Sequence, residues 1–164
     1  MTYAHDLLDA DPKALMTLAR VMPMSRYRRD VPPAPWFAAK LVGTLHEDCG
    51  PCTQLVVKMA AEAGVDPKTV AAVVSGDLAA MPDDVRLAAR FASASLAHDP
   101  TADALRAEVV ARWGRRGLAS IALALASARV YPTLKYALGH GHACTRIDVA
   151  GRQLAPRALQ PVTL

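Results

Sequence analysis

The sequence predicts a single all-α domain spanning residues 1–164. Hydrophobic residues make up 52% of the chain but aromatics only 5%, so a core has to be assembled from Ala, Leu and Val. Such residues suit close-packed helices better than a sandwich or barrel. Apolar positions recur at helical spacing, and no segment reads as a strand. The length fits one core, and neither an internal repeat nor a low-complexity tract nor a linker divides it.

The elements follow in chain order. Behind a possible Asp11 cap, Pro12 opens a helix to about Val21, with Leu15, Leu18, Ala19 and Met22 on one side. Met22 to Pro35 holds four prolines and an Arg-Tyr-Arg-Arg run, and reads as a long surface loop. Trp36 to Leu45 is nearly all apolar and predicts a helix buried in the domain or in a subunit interface. After Cys52, the residues Leu55, Val56, Met59, Ala60 and Ala63 mark one face of a third helix, which Gly64 closes. Asp66-Pro67 starts a short helix that Ser75-Gly76-Asp77 breaks, and Pro82 with Asp83 and Asp84 opens a long amphipathic one. Thr101 is read as the cap of a helix to Trp113, Gly114 as a turn, and Leu118 to Val130 as the most buried helix, ending before Pro132. The tail from Gly151 reads as irregular.

Charge narrows the function classes. Nineteen Lys and Arg against fifteen Asp and Glu give +4, with clusters only at Arg26, Arg28, Arg29 and at Arg112, Arg115, Arg116. Neither cluster carries the array of aromatics that forms a base-stacking platform, so no nucleic-acid partner is expected. The first ten residues lack the basic and apolar regions of a secretory signal. The run Gly117 to Ala128 is too short to span a bilayer. A cytoplasmic protein without a membrane partner is expected. In that compartment three cysteines, two of them in Cys49-Gly50-Pro51-Cys52, point to redox or metal chemistry rather than to a disulfide framework.

Two cysteines three apart at the first turn of a helix bring their sulfurs to one side, within disulfide reach. A thiolate there is stabilised by the unpaired N–H groups and the helix dipole, and Pro51 costs no intrahelical hydrogen bond. His46, if protonated, would add to this. Glu47 and Asp48 would oppose it or accept protons. A zinc site from Cys49, Cys52, Cys144 and either His140 or His142 has suitable ligand types, but a chain with an ample core does not need one, and no metal or other cofactor is expected. A pair of buried structural thiols is the bland alternative, which the flanking Asp, Gly and Pro disfavour. Cys-Gly-Pro-Cys and Tyr131-Pro132-Thr133 also echo the thioredoxin site, yet the adjoining segments are Ala- and Leu-rich where that fold needs strands.

The run from Cys49-Gly50-Pro51-Cys52 to Ala60-Ala61-Glu62-Ala63-Gly64-Val65-Asp66 resembles the signature of the alkyl hydroperoxidase D and carboxymuconolactone decarboxylase families. Similar order follows in Ala88-Ala89-Arg90-Phe91-Ala92, in Asp99-Pro100, and in the segment from Tyr131-Pro132 to Gly139, so the resemblance covers about residues 35 to 140. It implies an alkyl hydroperoxidase D-like helical bundle, assembled as a homo-oligomer. It also implies a dithiol that is reduced by a protein or small-thiol donor and attacks a peroxide. In the peroxidase members a histidine four residues after the second cysteine and a glutamate twelve before the first complete a proton relay. Here those positions are Val56 and Phe37. His46 and Glu47 are the available substitutes, on the other side of the dithiol.

The candidate catalytic residues are therefore Cys49, Cys52, His46 and Glu47. The expected function is a thiol-disulfide oxidoreductase or peroxidase-like antioxidant protein acting on a peroxide or disulfide. A non-enzymatic oligomeric redox sensor or binding protein is the alternative. Helix-start geometry favours Cys49 as the exposed nucleophile, whereas the resemblance favours Cys52.

Overall fold

The computed structural model describes residues 2–143, 145–157 and 159. They form an all-α fold with one small hairpin. The helices are α1 (Thr2–Ala10), α2 (Pro12–Ala19), α3 (Pro33–His46), α4 (Gly50–Glu62), α5 (Pro67–Ser75), α6 (Asp83–Leu96) and α7 (Ala102–Ala137). Strands β1 (Ile147–Val149) and β2 (Arg152–Leu154) pair antiparallel, with Ile147 opposite Leu154.

α3 is the axle of the bundle. Every residue from Pro35 to Leu45 is buried, and the helix packs against α6, α7, α4 and α5. It is enclosed within its own chain, which removes it from the argument for a subunit interface. Where α3 meets α7 the backbones come close: a Cβ on Gly43 would stand 2.8 Å from Ala128 Cβ. Small residues at both positions permit that approach.

Of the two breaks predicted in α7, the one at Gly114 is present and the one at Pro132 is not. Gly114 interrupts the helix as expected, adopting φ 67° and ψ −179°, a conformation only glycine takes readily, so that two helical segments meet there at a kink. Pro132 lies inside the helix and is buried. Its missing N–H removes one bond from the ladder without stopping it, because tertiary packing holds the turn. The whole span Ala102–Ala137, kink included, is long and apolar enough, by length and composition, to cross a membrane, and 44% of its apolar window is buried inside the chain. It is less buried than α3, contrary to the sequence expectation: Ala119, Ala122 and Ala126 are exposed. At its start, Thr101 occupies the cap position but donates its own hydroxyl and N–H to Asp99 Oδ1, at 2.6 and 2.8 Å. These two bonds hold the Asp99 carboxyl below its ordinary range.

The chain ends correct the sequence reading further. α1 was not foreseen, and the proline-rich loop contains a 3-10 turn at Met22–Arg26. The tail is ordered where it forms β2. Its strands are too short for alternation to be legible, but Ile147 and Val149 are buried and the positive φ of Ala150 and Gly151 closes the two-residue turn. Gln54 of α4 binds the hairpin in both directions. It donates to the Asp148 carbonyl and accepts from the Asp148 N–H, each at 2.9 Å.

Candidate functional site

The site begins in the turn between α3 and α4. Asp48 takes a positive φ of 49°, which a short polar side chain tolerates, and its carbonyl accepts from the Tyr136 hydroxyl at 2.9 Å. Cys49 follows as the N-cap of α4 and Pro51 lies in the first turn. Cys49 and Cys52 are joined as a disulfide, their Cα atoms 5.2 Å apart. The spacing at a helix start thus yields the pairing expected from it.

The two sulfurs have different surroundings. Cys49 is 0% exposed and Cys52 6%, and Cys52 alone of the pair lines a cavity of about 370 Å³. The expectation that Cys49 is the exposed member is therefore overturned. The cap residue between α3 and α4 is the enclosed one, and the position that reaches the cavity falls three residues later.

Helix-terminal donors play a smaller part than the sequence suggests. The Gly50 N–H donates to the His142 carbonyl at 3.1 Å, and Pro51 has no N–H. This leaves the amide of Cys52 itself and the helix dipole. A side chain supplies further positive charge: Lys135 Nζ of α7 lies 3.6 Å from Cys52 Sγ. Burial lowers the pKa of Lys135 below its ordinary value, which favours its neutral form, and a neighbouring anion acts against that shift by stabilising the ammonium.

The remaining sequence candidates fall away from the sulfurs. His46 is exposed at the end of α3. Glu47 pairs with Arg129, which holds its carboxylate on α7. Neither side chain hydrogen-bonds Cys49 or Cys52 among the described residues. Phe37 packs edge-on against Trp36, with ring centroids 4.9 Å apart, while Val56 lines the cavity beside Cys52. His140 pairs with Asp6, and Cys144, which the zinc alternative required, lies outside the described residues.

The cavity is walled by α1, α2, α3, α4 and α7. Leu15, Leu18, Val56 and Met59 give it apolar sides, and Leu55, 54% exposed and therefore not a core residue, stands in its rim. Lys40 is a second cation in its wall, and unlike the half-buried Lys135 it is buried. Only 4% exposed, its ammonium donates to the Ser25 carbonyl and lies 4.1 Å from the centroid of the Trp36 ring. Burial pulls its pKa down to about 8. Sequence reasoning missed both lysines. A signal existed for Lys40, the single charge in the apolar run Trp36 to Leu45. Lys135 carried none, because its approach to Cys52 depends on α7 continuing past Pro132.

Comparison with protein-family models, with curated proteins and with solved structures gives no match.

Proposed function

We propose that the protein is a cytoplasmic thiol-disulfide oxidoreductase, similar to the alkyl hydroperoxidase D families in turning a C-x-x-C dithiol against a peroxide or disulfide. The observation that carries the reading is Cys52, at a cavity wall with an ammonium 3.6 Å from its sulfur and a disulfide partner buried behind it.

The chemistry balances in two halves. A donor dithiol, or two small thiols, reduces the Cys49–Cys52 disulfide through a mixed disulfide, leaving two thiols on the protein and a disulfide on the donor. The Cys52 thiolate, paired with Lys135, then attacks a peroxide oxygen. The O–O bond breaks, the alkoxide leaves as the alcohol, and Cys52 becomes a sulfenic acid. Cys49 attacks that sulfur, water departs, and the disulfide re-forms. The two thiol protons end on the alcohol and the water.

Peroxide consumption by the protein with a small dithiol is the test, monitored over many turnovers. Turnover that disappears in Cys52→Ser supports the reading, whereas equal consumption by that variant removes it. A second reading is favoured by Phe37 and Val56 at the relay positions: a redox sensor that oxidises once and is reduced slowly. Single-turnover oxidation without sustained consumption would select it. A homo-oligomer belongs to the same proposal, with the exposed Ala119, Ala122 and Ala126 of α7 as the contact face and light scattering as its check.

A further inference from the structure

We propose that the cavity beside Cys52 is a binding site for an apolar-chain monocarboxylate, with the carboxylate held by Lys40. This deepens the redox reading by naming what the pocket accepts, but the binding itself does not require turnover.

The charges in the cavity wall are all of one sign. Arg26, Lys40 and Lys135 line it, and among the described residues no carboxylate does. Arg26 is exposed and Lys135 is turned to the sulfur of Cys52. Lys40 is left as the buried cation facing an apolar space. Its ammonium has three donors, one of which serves the Ser25 carbonyl, while the face of Trp36 offers only a weak electrostatic contact. No carboxylate pairs with Lys40 among the described residues.

A buried ammonium without a counter-anion bears a desolvation cost that its own contacts do not offset. A ligand carboxylate entering the cavity removes that cost and forms charge-assisted hydrogen bonds in a site shielded from water. The rest of the ligand is fixed by the walls. Leu15, Leu18, Val56 and Met59 present hydrocarbon, and the hydroxyls of Ser25, Thr44 and Ser127 in the same wall already donate to backbone carbonyls three residues back, so a chain of methylene groups matches this lining better than a sugar or peptide does. A volume of about 370 Å³ lies within the range of small-molecule pockets. One buried cation free for the ligand calls for one negative charge.

The test uses the disulfide form of the full chain and compares dodecanoate with dodecanol by isothermal titration calorimetry. Dodecanoate is expected to bind about tenfold or more tightly than the alcohol, the effect of one charge-assisted contact in a dry site. Lys40→Met should lower dodecanoate affinity to that of dodecanol while leaving dodecanol binding intact, which also shows that the variant is folded. Leu15→Trp, on a helix with no buried residue, should fill the cavity and weaken both. Equal affinity for acid and alcohol in the wild type, unchanged preference in Lys40→Met, or no binding of either would overturn the proposal. Because the disulfide form is titrated without a reductant, each outcome is independent of whether the dithiol turns over.

Discussion

Lys135 and Cys52 meet across the α4–α7 junction, ammonium to sulfur at 3.6 Å, although 83 residues separate them in the chain. On reduction of the disulfide, a positive charge held at this distance favours the Cys52 thiolate over the thiol.

Lys135→Met should therefore slow alkylation of reduced Cys52 at neutral pH by roughly three- to tenfold and move its rate profile to higher pH. Iodoacetamide kinetics resolved by peptide mapping provide the measurement. An unchanged profile would mean that the lysine is a bystander.

The unequal burial of the sulfurs predicts unequal reactivity. After reduction, a bulky maleimide should label Cys52 about tenfold faster than Cys49, since access to the thiolate limits the reaction. Mapping the untreated oxidised protein should recover the Cys49–Cys52 peptide. Faster labelling at Cys49, or a disulfide to Cys144 in its place, would contradict the arrangement.

Val56 lines the cavity one turn beyond Cys52, where it can neither donate nor accept a proton. Val56→His should raise peroxide turnover by about tenfold or more, in keeping with the usual contribution of a positioned acid or base. A variant that binds dodecanoate normally yet gains no activity would show that proton supply does not limit the reaction.

Helix propensity alone says that Gly43→Ala stabilises α3 by up to about 1 kcal/mol. The 2.8 Å approach to Ala128 Cβ says the opposite, because neither backbone-anchored methyl can swing aside, and overpacking of this kind costs about 1–3 kcal/mol. Urea unfolding should find Gly43→Ala destabilised and the double variant with Ala128→Gly largely restored. Simple additivity of the two changes would refute the contact.

Burial of Lys40 makes stability depend on pH in a defined direction. Its pKa is about 8 in the folded chain against an ordinary 10.5. Between those values the unfolded chain binds more protons, so this group's contribution to stability rises as pH increases through the window. Below about pH 8 the full cost of the buried charge, roughly 3 kcal/mol, is present. Lys40→Met lacks it, so the advantage of this variant over the wild type in urea should shrink from pH 7 to pH 10. A constant difference would show that Lys40 is not desolvated.

Much of the fold was legible because helical periodicity and strong breakers agree. Asp66-Pro67, Gly76 and Pro82 bound their helices as read, and the apolar run at Trp36 to Leu45 is the buried α3. Gly114 breaks the helical conformation where the sequence reads as a turn. The failures lie where packing overrides local signals: Pro132 looks like a stop but is absorbed into α7, and three-residue strands are too short to show a period. At the site, the cysteine spacing was readable and the lysines were not. His46 and Glu47 are near the dithiol in sequence, but the direction of a side chain leaving a helix end decides what it meets: His46 is exposed and Glu47 meets Arg129.

The hydrogen bonds that tie the dithiol helix to the tail also impose an order of assembly. Gly50 waits for the carbonyl of His142, and Gln54 waits for Asp148, 94 residues downstream. During synthesis α3 to α6 emerge and begin to pack while the start of α4 still lacks these partners. A nascent chain therefore carries its cysteines in an unfinished setting, open to whatever thiols surround the ribosome, and the surroundings of the cysteine pair are among the last parts of the molecule to mature.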